Sequence, residues 1–381
     1  MSESHLFNTS LEDWVHHELV SLPPTASITE VAQQMSQKNV SSVLLIDPTS
    51  HQLAGIVTDR DLRNRVLAVG KSPLAPALDI ATSVDQLEDA HKLRCEAPHV
   101  HPGGGGINVA RVLHRLGAAV QAVFPAGGPT GERLHQLLQN ETVPCKVQAI
   151  DSDTRESFTV HERKSQREFR FVLPGPTLTA QEWLASLNLL QATLSDSSWV
   201  ISSGGLPPGV DIDAHAQVAR LAKAQGARFA VDTSDLALKA VLEEGVWLVK
   251  PSLRELTLLA GRELPNTADQ QQAARSLITN GHAQMVALTL GAHGAMLVTP
   301  TQCLFAKPLP IQVAGSVGAG DSFLAGLVWG LDQSDDLHQA LATAMAAGSA
   351  AVMASGTALC QWEDVDRLRS EVHIHEVCKL T

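Results

Sequence analysis

The sequence has no CxxC pair. Its five cysteines, Cys95, Cys145, Cys303, Cys360 and Cys378, are scattered and odd in number, which predicts reduced thiols rather than disulfide staples or zinc ligands. The longest apolar stretch, Phe323 to Leu331, falls far short of the roughly 20 residues of a membrane-spanning helix. The opening MSESHLFNTSLEDW has no basic segment followed by an apolar run, so a cytoplasmic protein without a membrane partner is expected. There is no excess of positive charge: Lys+Arg 28 against Asp+Glu 40 gives −12, which argues against nucleic acid as a partner. Nor is there a P-loop. Gly70-Lys71-Ser72 has the wording of that loop's end, but the glycine required five positions earlier is Arg65. Gly70 to Pro76, with two prolines, reads as a linker. Internal repeats and low-complexity tracts are also lacking. What is present is a 381-residue chain, 44% hydrophobic and 18% charged, enough for two or three globular domains with a sizeable core.

The first seventy residues differ from the rest. Ser27-Ile28-Thr29-Glu30 has capping-box spacing and opens a helix with Ile28, Val31, Ala32 and Met35 at helical intervals. Ser41 to Ile46 and Gln52 to Val57 read as strands separated by a turn, and Asp59 to Val69 as a second helix with Leu62, Val66 and Val69 on one face. From about Leu74 strands and helices alternate, as in a parallel sheet covered on both faces. The strands are read at Val120 to Phe124, Trp199 to Ser202, Ala227 to Asp232, Val246 to Lys250 and Met285 to Leu290. Helices are read at Val109 to Leu116, Asp213 to Gln225 and Ala268 to Asn280. Two segments of alternating polarity, 84–100 and 154–172, predict a small accessory β lid.

Two glycine-rich segments carry chemistry. Gly103-Gly104-Gly105-Gly106-Ile107-Asn108 leads into an apolar-periodic helix; glycines let backbone approach a ligand, and free N–H groups at a helix start favour anions or hydroxyl oxygens. Read alone, it fits equally a turn with Asn108 as a cap. Gly315-Ser316-Val317-Gly318-Ala319-Gly320-Asp321-Ser322 precedes a second apolar helix. Its small residues let successive N–H groups converge on one oxyanion, while Asp321 either caps the helix or takes a proton from an attacking hydroxyl.

The wording NVSSVLLID followed by GIVTDRDLRNRVLAVG, over about residues 18–72, resembles a cystathionine-β-synthase-type (CBS) domain. The resemblance implies a 1–72 regulatory module in which Thr58 meets a nucleotide phosphate and Asp61 its ribose, the nucleotide being AMP or ATP. Thr58 is equally well read as a helix cap. Such modules work in pairs, and one copy here implies a second from another subunit.

Residues 73–381, through LAPALD, KLRC, PGGGGINVAR, FPAGGPTGE, FRFVLPG, GLPPGV, VKPSLREL, TLGAHGA, GSVGAGDS and GTALC, resemble the PfkB carbohydrate kinase family of ribokinase-like α/β folds. The resemblance implies ATP-dependent, Mg²⁺-assisted phosphorylation of a sugar phosphate. Asp321 would be the base, with Gly318, Ala319 and Gly320 as the anion hole. Asp79, Asn108 and Gly103 to Gly105 would hold sugar hydroxyls, and Arg155 with Arg170 the sugar's phosphate. Lys92 on the lid and Thr289, Gly291 and Gly294 would meet the nucleotide. Glu255 would position Mg²⁺ through water. Dimerisation through the lids and a K⁺ near Val317 and Gly356 also follow from the family.

Departures stand beside this. Ser252 replaces the Asn of the family's Asn-x-x-Glu motif, which predicts weaker nucleotide or magnesium positioning. Gly205, Ala354 and Ala358 replace Ser, Asn and Arg. The family's first buried strand is expected to be absent, because Lys71-Ser72-Pro73 reads as no strand, which predicts unpaired neighbouring backbone and a loosely mounted Asp79. Fructose 6-phosphate is the expected substrate, with fructose 1-phosphate or tagatose 6-phosphate as alternatives. A non-catalytic adenylate sensor with a damaged kinase body is the rival from another class.

Overall fold

The computed structural model describes residues 20–23, 26, 30, 31, 34, 35, 38, 40, 42–46, 48, 53–58, 76–88, 92–165, 167–194, 199–354 and 356–379. The chain divides into two units, Met1–Lys71 and Ser72–Thr381.

In the first unit, β1 (Ser21–Leu22) runs parallel to β2 (Ser42–Ile46), which pairs antiparallel with β3 (Leu53–Thr58). The described residues between β1 and β2 include helical Val31 and Met35, which with Val43 form a small buried core. Thr58 ends β3. Asp61 and the helix read over 59–69 lie outside the described residues.

The second unit begins with β4 (Ala77–Val84), β5 (His99–Gly103), β6 (Ala122–Ala126), β7 (Cys145–Ala149), β8 (Arg155–Glu162) and β9 (Arg167–Val172). Strands β5-β4-β8-β9 form a four-stranded lid sheet, and β6 and β7 a parallel pair. The lid differs from its reading: the 84–100 segment is mostly a connection, and its strands lie on either side of it. Seven further strands form the main sheet in sequence order: β10 (Trp199–Ser203), β11 (Arg228–Asp232), β12 (Val246–Val249), β13 (Ala283–Thr289), β14 (Ala295–Val298), β15 (Gln302–Ala306) and β16 (Ile374–Lys379). The first four are parallel and the rest antiparallel.

Helices α1 (Gly105–Arg115), α2 (Gly128–Asn140), α3 (Ala180–Gln191), α4 (Ala214–Ala224), α5 (Asp235–Glu243), α6 (Leu253–Ala260), α7 (Thr267–Thr279), α8 (Ala319–Gln333), α9 (Leu337–Met353) and α10 (Trp362–Arg369) complete the unit. Ala230 packs toward α1, α8 and α9, whereas its neighbours Phe229 and Val231 pack toward α4, α5 and α7. That strict alternation under two apolar layers is why these strands read as unbroken hydrophobic runs. Among the described residues, Trp199 meets Trp247 edge to face, and Trp329 lies against Trp362. No helix among the described residues is long and apolar enough to cross a membrane.

Candidate active site

Parallel strands gather their carboxyl ends on one side of the sheet, where helix N-termini also point. Ser203 ends β10, Asp232 ends β11, Lys250 follows β12 and Thr289 ends β13. Helix α8 starts over the same side, with Gly318 (φ 75°) as its N-cap and Asp321 in its first turn. The first intrahelical hydrogen bond runs from the Ser322 N–H to the Gly318 carbonyl at 2.8 Å. The amides of Ala319 and Gly320 therefore have no helical acceptor and point outward from a positive helix end.

Asp321 is neither free nor a cap. Asn108 Nδ2 donates to its Oδ2 at 3.0 Å, and Ser203 Oγ donates to its Oδ1 at 2.9 Å. Burial raises its pKa, opposed by those two bonds and by the charge of Lys250. Asn108 itself sits inside α1, not at its end, so its capping alternative is set aside. Gly105 is required at the start of α1 because a Cβ there would meet Ser203 Oγ at 2.6 Å and the Ser203 carbonyl at 2.7 Å. The close approach of the two elements is what lets Asn108 and Ser203 reach one carboxylate.

A buried ion pair lies beside this group. Lys250 Nζ is 3.0 Å from Asp232 Oδ2, and a Cβ built on Gly320 would stand 3.5 Å from the same Nζ. Burial pushes Asp232 up to about 6, with Lys250 opposing and Asp321 and Glu255 reinforcing the rise. Lys250 is itself raised, because attraction to Asp232, Glu255 and Asp321 outweighs its burial. Ser203, Asp232 and Lys250 were missed by sequence reasoning. The signal available was their position at the ends of strands already read as parallel.

The lid supplies the other half. Asp79 lies in β4 between His101 of β5 and Ser157 of β8 and is 4% exposed. Its mount is thus the lid sheet itself, which corrects the expectation that it depends on a preceding central strand. Burial raises Asp79, while Arg170, Arg155 and Arg111 pull it down. A Cβ on Gly103 would fall 2.1 Å from Asp79 Oδ2, so the glycine leaves room for that carboxylate. Arg155 is buried, with its Nε lacking any partner and only a 3.5 Å contact from Nη1 to the Leu173 carbonyl. Burial lowers it to about 10. A buried guanidinium with so few acceptors suits an incoming anion. Arg170, exposed on β9, is within electrostatic reach of both Asp79 and Asp321.

The nucleotide-side residues form a second cluster. Ser252 caps α6: its Oγ accepts from the Glu255 N–H at 3.3 Å, while the Ser252 N–H donates to Glu255 Oε2 at 2.8 Å. Glu255 is therefore partly committed to a capping box, which its sequence spacing allowed but which was not read there. Thr289 bridges to Ser252, its N–H donating to the Pro251 carbonyl at 2.9 Å. Gly291 opens the 3₁₀ turn Gly291–His293, closed by Gly294. Lys92 is exposed on the connection after β4, and no hydrogen bond or ion pair among the described residues ties it to these clusters. His101 bonds Thr357 at 2.9 Å and His375 packs on Phe305. No group of three or more His, Cys, Asp or Glu gathers as a metal shell among the described residues.

A helix end with unpaired amides, a hydrogen-bonded carboxylate beside it and a pair of arginines form an arrangement chemically suited to transferring a phosphoryl group to a hydroxyl on an anionic substrate. Comparison with known proteins agrees. The pfkB family carbohydrate kinase profile matches residues 66–364 and the CBS domain profile residues 11–68, so both include 66–68. The ATP-dependent 6-phosphofructokinase isozyme 2 of Mycobacterium tuberculosis is 42% identical over 292 residues, 77% of this chain and 86% of that protein. The crystal structure of Escherichia coli phosphofructokinase-2 with potassium superposes with a TM-score of 0.75 at 39% identity, covering 78% of this chain and 97% of that one. The same enzyme's complex with fructose-6-phosphate gives 0.74 at 38% identity and the same coverage. The chain belongs to the pfkB family of carbohydrate kinases and carries a CBS domain on its N-terminal side.

Proposed function

We propose that this chain transfers the γ-phosphoryl group of ATP to the free primary hydroxyl of fructose 6-phosphate. The observation that carries the reading is Asp321, held by Asn108 and Ser203 at the start of α8 with unpaired amides beside it. Asp321 takes the hydroxyl proton as the oxygen attacks phosphorus, and the amides of Gly318, Ala319 and Gly320 face the charge on the transferring group. Asp79 and the Gly103–Gly105 backbone orient sugar hydroxyls. Arg155 and Arg170 bind the phosphate already on the sugar, and Lys250 moderates the negative charge around Asp321.

Mg²⁺ fits a site with few protein ligands, since that ion keeps several waters and shares one or two carboxylates with substrate phosphates. Glu255 has one carboxylate oxygen outside the capping box and, with Asp232, would hold it through water; the ion supplies charge shielding. A K⁺ is read near Val317 and Gly356; a Cβ built on nearby Gly315 would meet the Ala354 carbonyl and Glu168 Oε2 at 3.4 Å and the Gly356 carbonyl at 3.6 Å. Thr289, Gly291, Gly294 and Lys92 are read as nucleotide contacts, and Thr58 with Asp61 as an adenylate site in the CBS domain. A homodimer through the lids is favoured by Phe171, which is 50% exposed at the end of β9, and by Leu173 beyond it.

The test is ADP release with ATP, Mg²⁺ and fructose 6-phosphate, compared with Asp321→Asn. Turnover that disappears in the variant is expected, and unchanged turnover rejects the assignment. Fructose 1-phosphate and tagatose 6-phosphate belong in the same panel, and preference for either displaces the substrate.

A further inference from the structure

Among the described residues, the non-glycine positions with left-handed backbone are Thr142 (φ 56°), Asp235 (φ 56°) and Leu359 (φ 61°). Two of them lie at opposite ends of one charged bridge. Thr142 follows Glu141, the C-cap of α2, whose carboxylate holds two arginines of α1. It accepts from Arg111 Nε at 2.8 Å and Nη2 at 2.6 Å, and from Arg115 Nη2 at 3.3 Å. At the far end, Arg115 Nη1 donates to the Ala358 carbonyl at 2.8 Å and to the Cys360 carbonyl at 3.0 Å. An ion pair that only joined α1 to α2 is already complete with Arg111, which is 0% exposed and takes both carboxylate oxygens. The long bond of Arg115 goes to Glu141 and its short ones to the two carbonyls on either side of Leu359.

A leucine in that conformation crowds its Cβ against the carbonyl oxygen that follows, and such strain persists only where the surroundings over-determine it. Arg115 provides that restraint on the carbonyls before and after Leu359, while His101 holds the same turn from the other side through Thr357. The strain places one side chain. Leu359 is 2% exposed and lies over Gly318, the N-cap of α8, so closely that a Cβ built on the glycine would collide with Leu359 Cδ2. Gly318 leads into Ala319 and Gly320, whose amides have no helical acceptor. In a close-packed interior, displacement of Leu359 moves Gly318 with it.

We propose that Arg115 is a positioning residue for phosphoryl transfer: it locks the backbone around Leu359, and Leu359 sets the direction in which the turn at Gly318 presents its amides. Arg115 touches no reacting group and acts through the leucine. The inference rests on the proposed use of those amides as an anion hole.

Hydrogen exchange with mass spectrometry and steady-state kinetics on the full chain test it together. Arg115→Met keeps the apolar stem and removes the donors. Peptides covering 356–360 and 318–325 are expected to exchange about tenfold faster, the equivalent of one lost charge-assisted hydrogen bond, with those covering 228–232 and 283–289 unchanged. The expected fall in kcat is about tenfold, part of the roughly 10²–10³-fold lost when an oxyanion-hole donor is removed outright, with KM for fructose 6-phosphate unchanged. Leu359→Gly relieves the backbone and removes the side chain over Gly318. It is expected to lower kcat to a similar degree, and adding Arg115→Met to it to cause no further fall. Faster exchange spread evenly over all peptides, a raised KM with kcat intact, or full additivity of the two substitutions means that Arg115 only stabilises the fold and overturns the proposal. If Arg115→Met does not fold, Leu359→Gly decides alone, and an unchanged kcat overturns it. Should the wild-type chain turn over none of the sugar phosphates, the functional reading fails by itself, and the exchange pattern still decides whether Arg115 controls the start of α8.

Discussion

The two halves of the site reach the same end by different physics. At the Asp321 half, one carboxylate is held by neutral hydrogen bonds from two elements, Asn108 on α1 and Ser203 on β10. At the lid half, Asp79 and Arg155 are buried together with little direct bonding, and their charges hold each other. The first has fixed geometry, which suits the proton transfer of the proposed function. The second is under-satisfied, with Arg155 Nε left without a partner, which suits the anionic sugar phosphate of the proposed function.

That difference can be broken by substitution, beginning with the largest effect. Asp321→Asn keeps the shape and removes the base, so kcat should fall by roughly 10²–10⁴-fold with little change in KM. Steady-state kinetics checks this, and a KM effect alone would erase the distinction. Lys250→Met leaves Asp232 buried without its cation. Breaking such a pair costs about 3–5 kcal/mol, and the loss should be greater at pH 8, where Asp232 is ionised, than at pH 5, below its pKa of about 6. Urea unfolding at the two pH values measures it. Arg155→Leu should act on the other half, raising KM for the sugar phosphate by roughly ten- to a hundredfold, the value of a charge-assisted hydrogen bond, with KM for ATP unchanged. Ser203→Ala has the smallest effect, about five- to tenfold in kcat. The Ser203 bond lowers the Asp321 pKa, so its loss raises that pKa and moves the acidic limb of the pH–rate profile upward. A limb that stays in place would mean Ser203 only packs.

Much of this was legible from local pattern. Strands β2, β3, β10, β11, β12 and β13 begin or end within two residues of where alternation placed them. The glycine runs marked the starts of α1 and α8, whereas the local pattern around Asp321 fitted a helix cap as well as a base, and the base reading came from the family resemblance. The partners of Asp321 were not legible in the same way. Ser203 is separated from it by 118 positions and Asn108 by 213, and no local period connects them. The capping box of Ser252 and Glu255 shows the opposite error: a motif assigned to nucleotide and metal alone also serves the helix that carries it.

The sequence by itself determined where extended and helical segments lie, because side-chain period and glycine placement act over a few residues. It also determined the family, because two motifs in fixed order are specific together. Only the tertiary structure decided that Asp79 is mounted on the lid, that Lys250 pairs with Asp232, and that a cavity lies between β6 and β10. Each of these depends on burial and on neighbours distant in the chain, and burial is a property of the packed molecule.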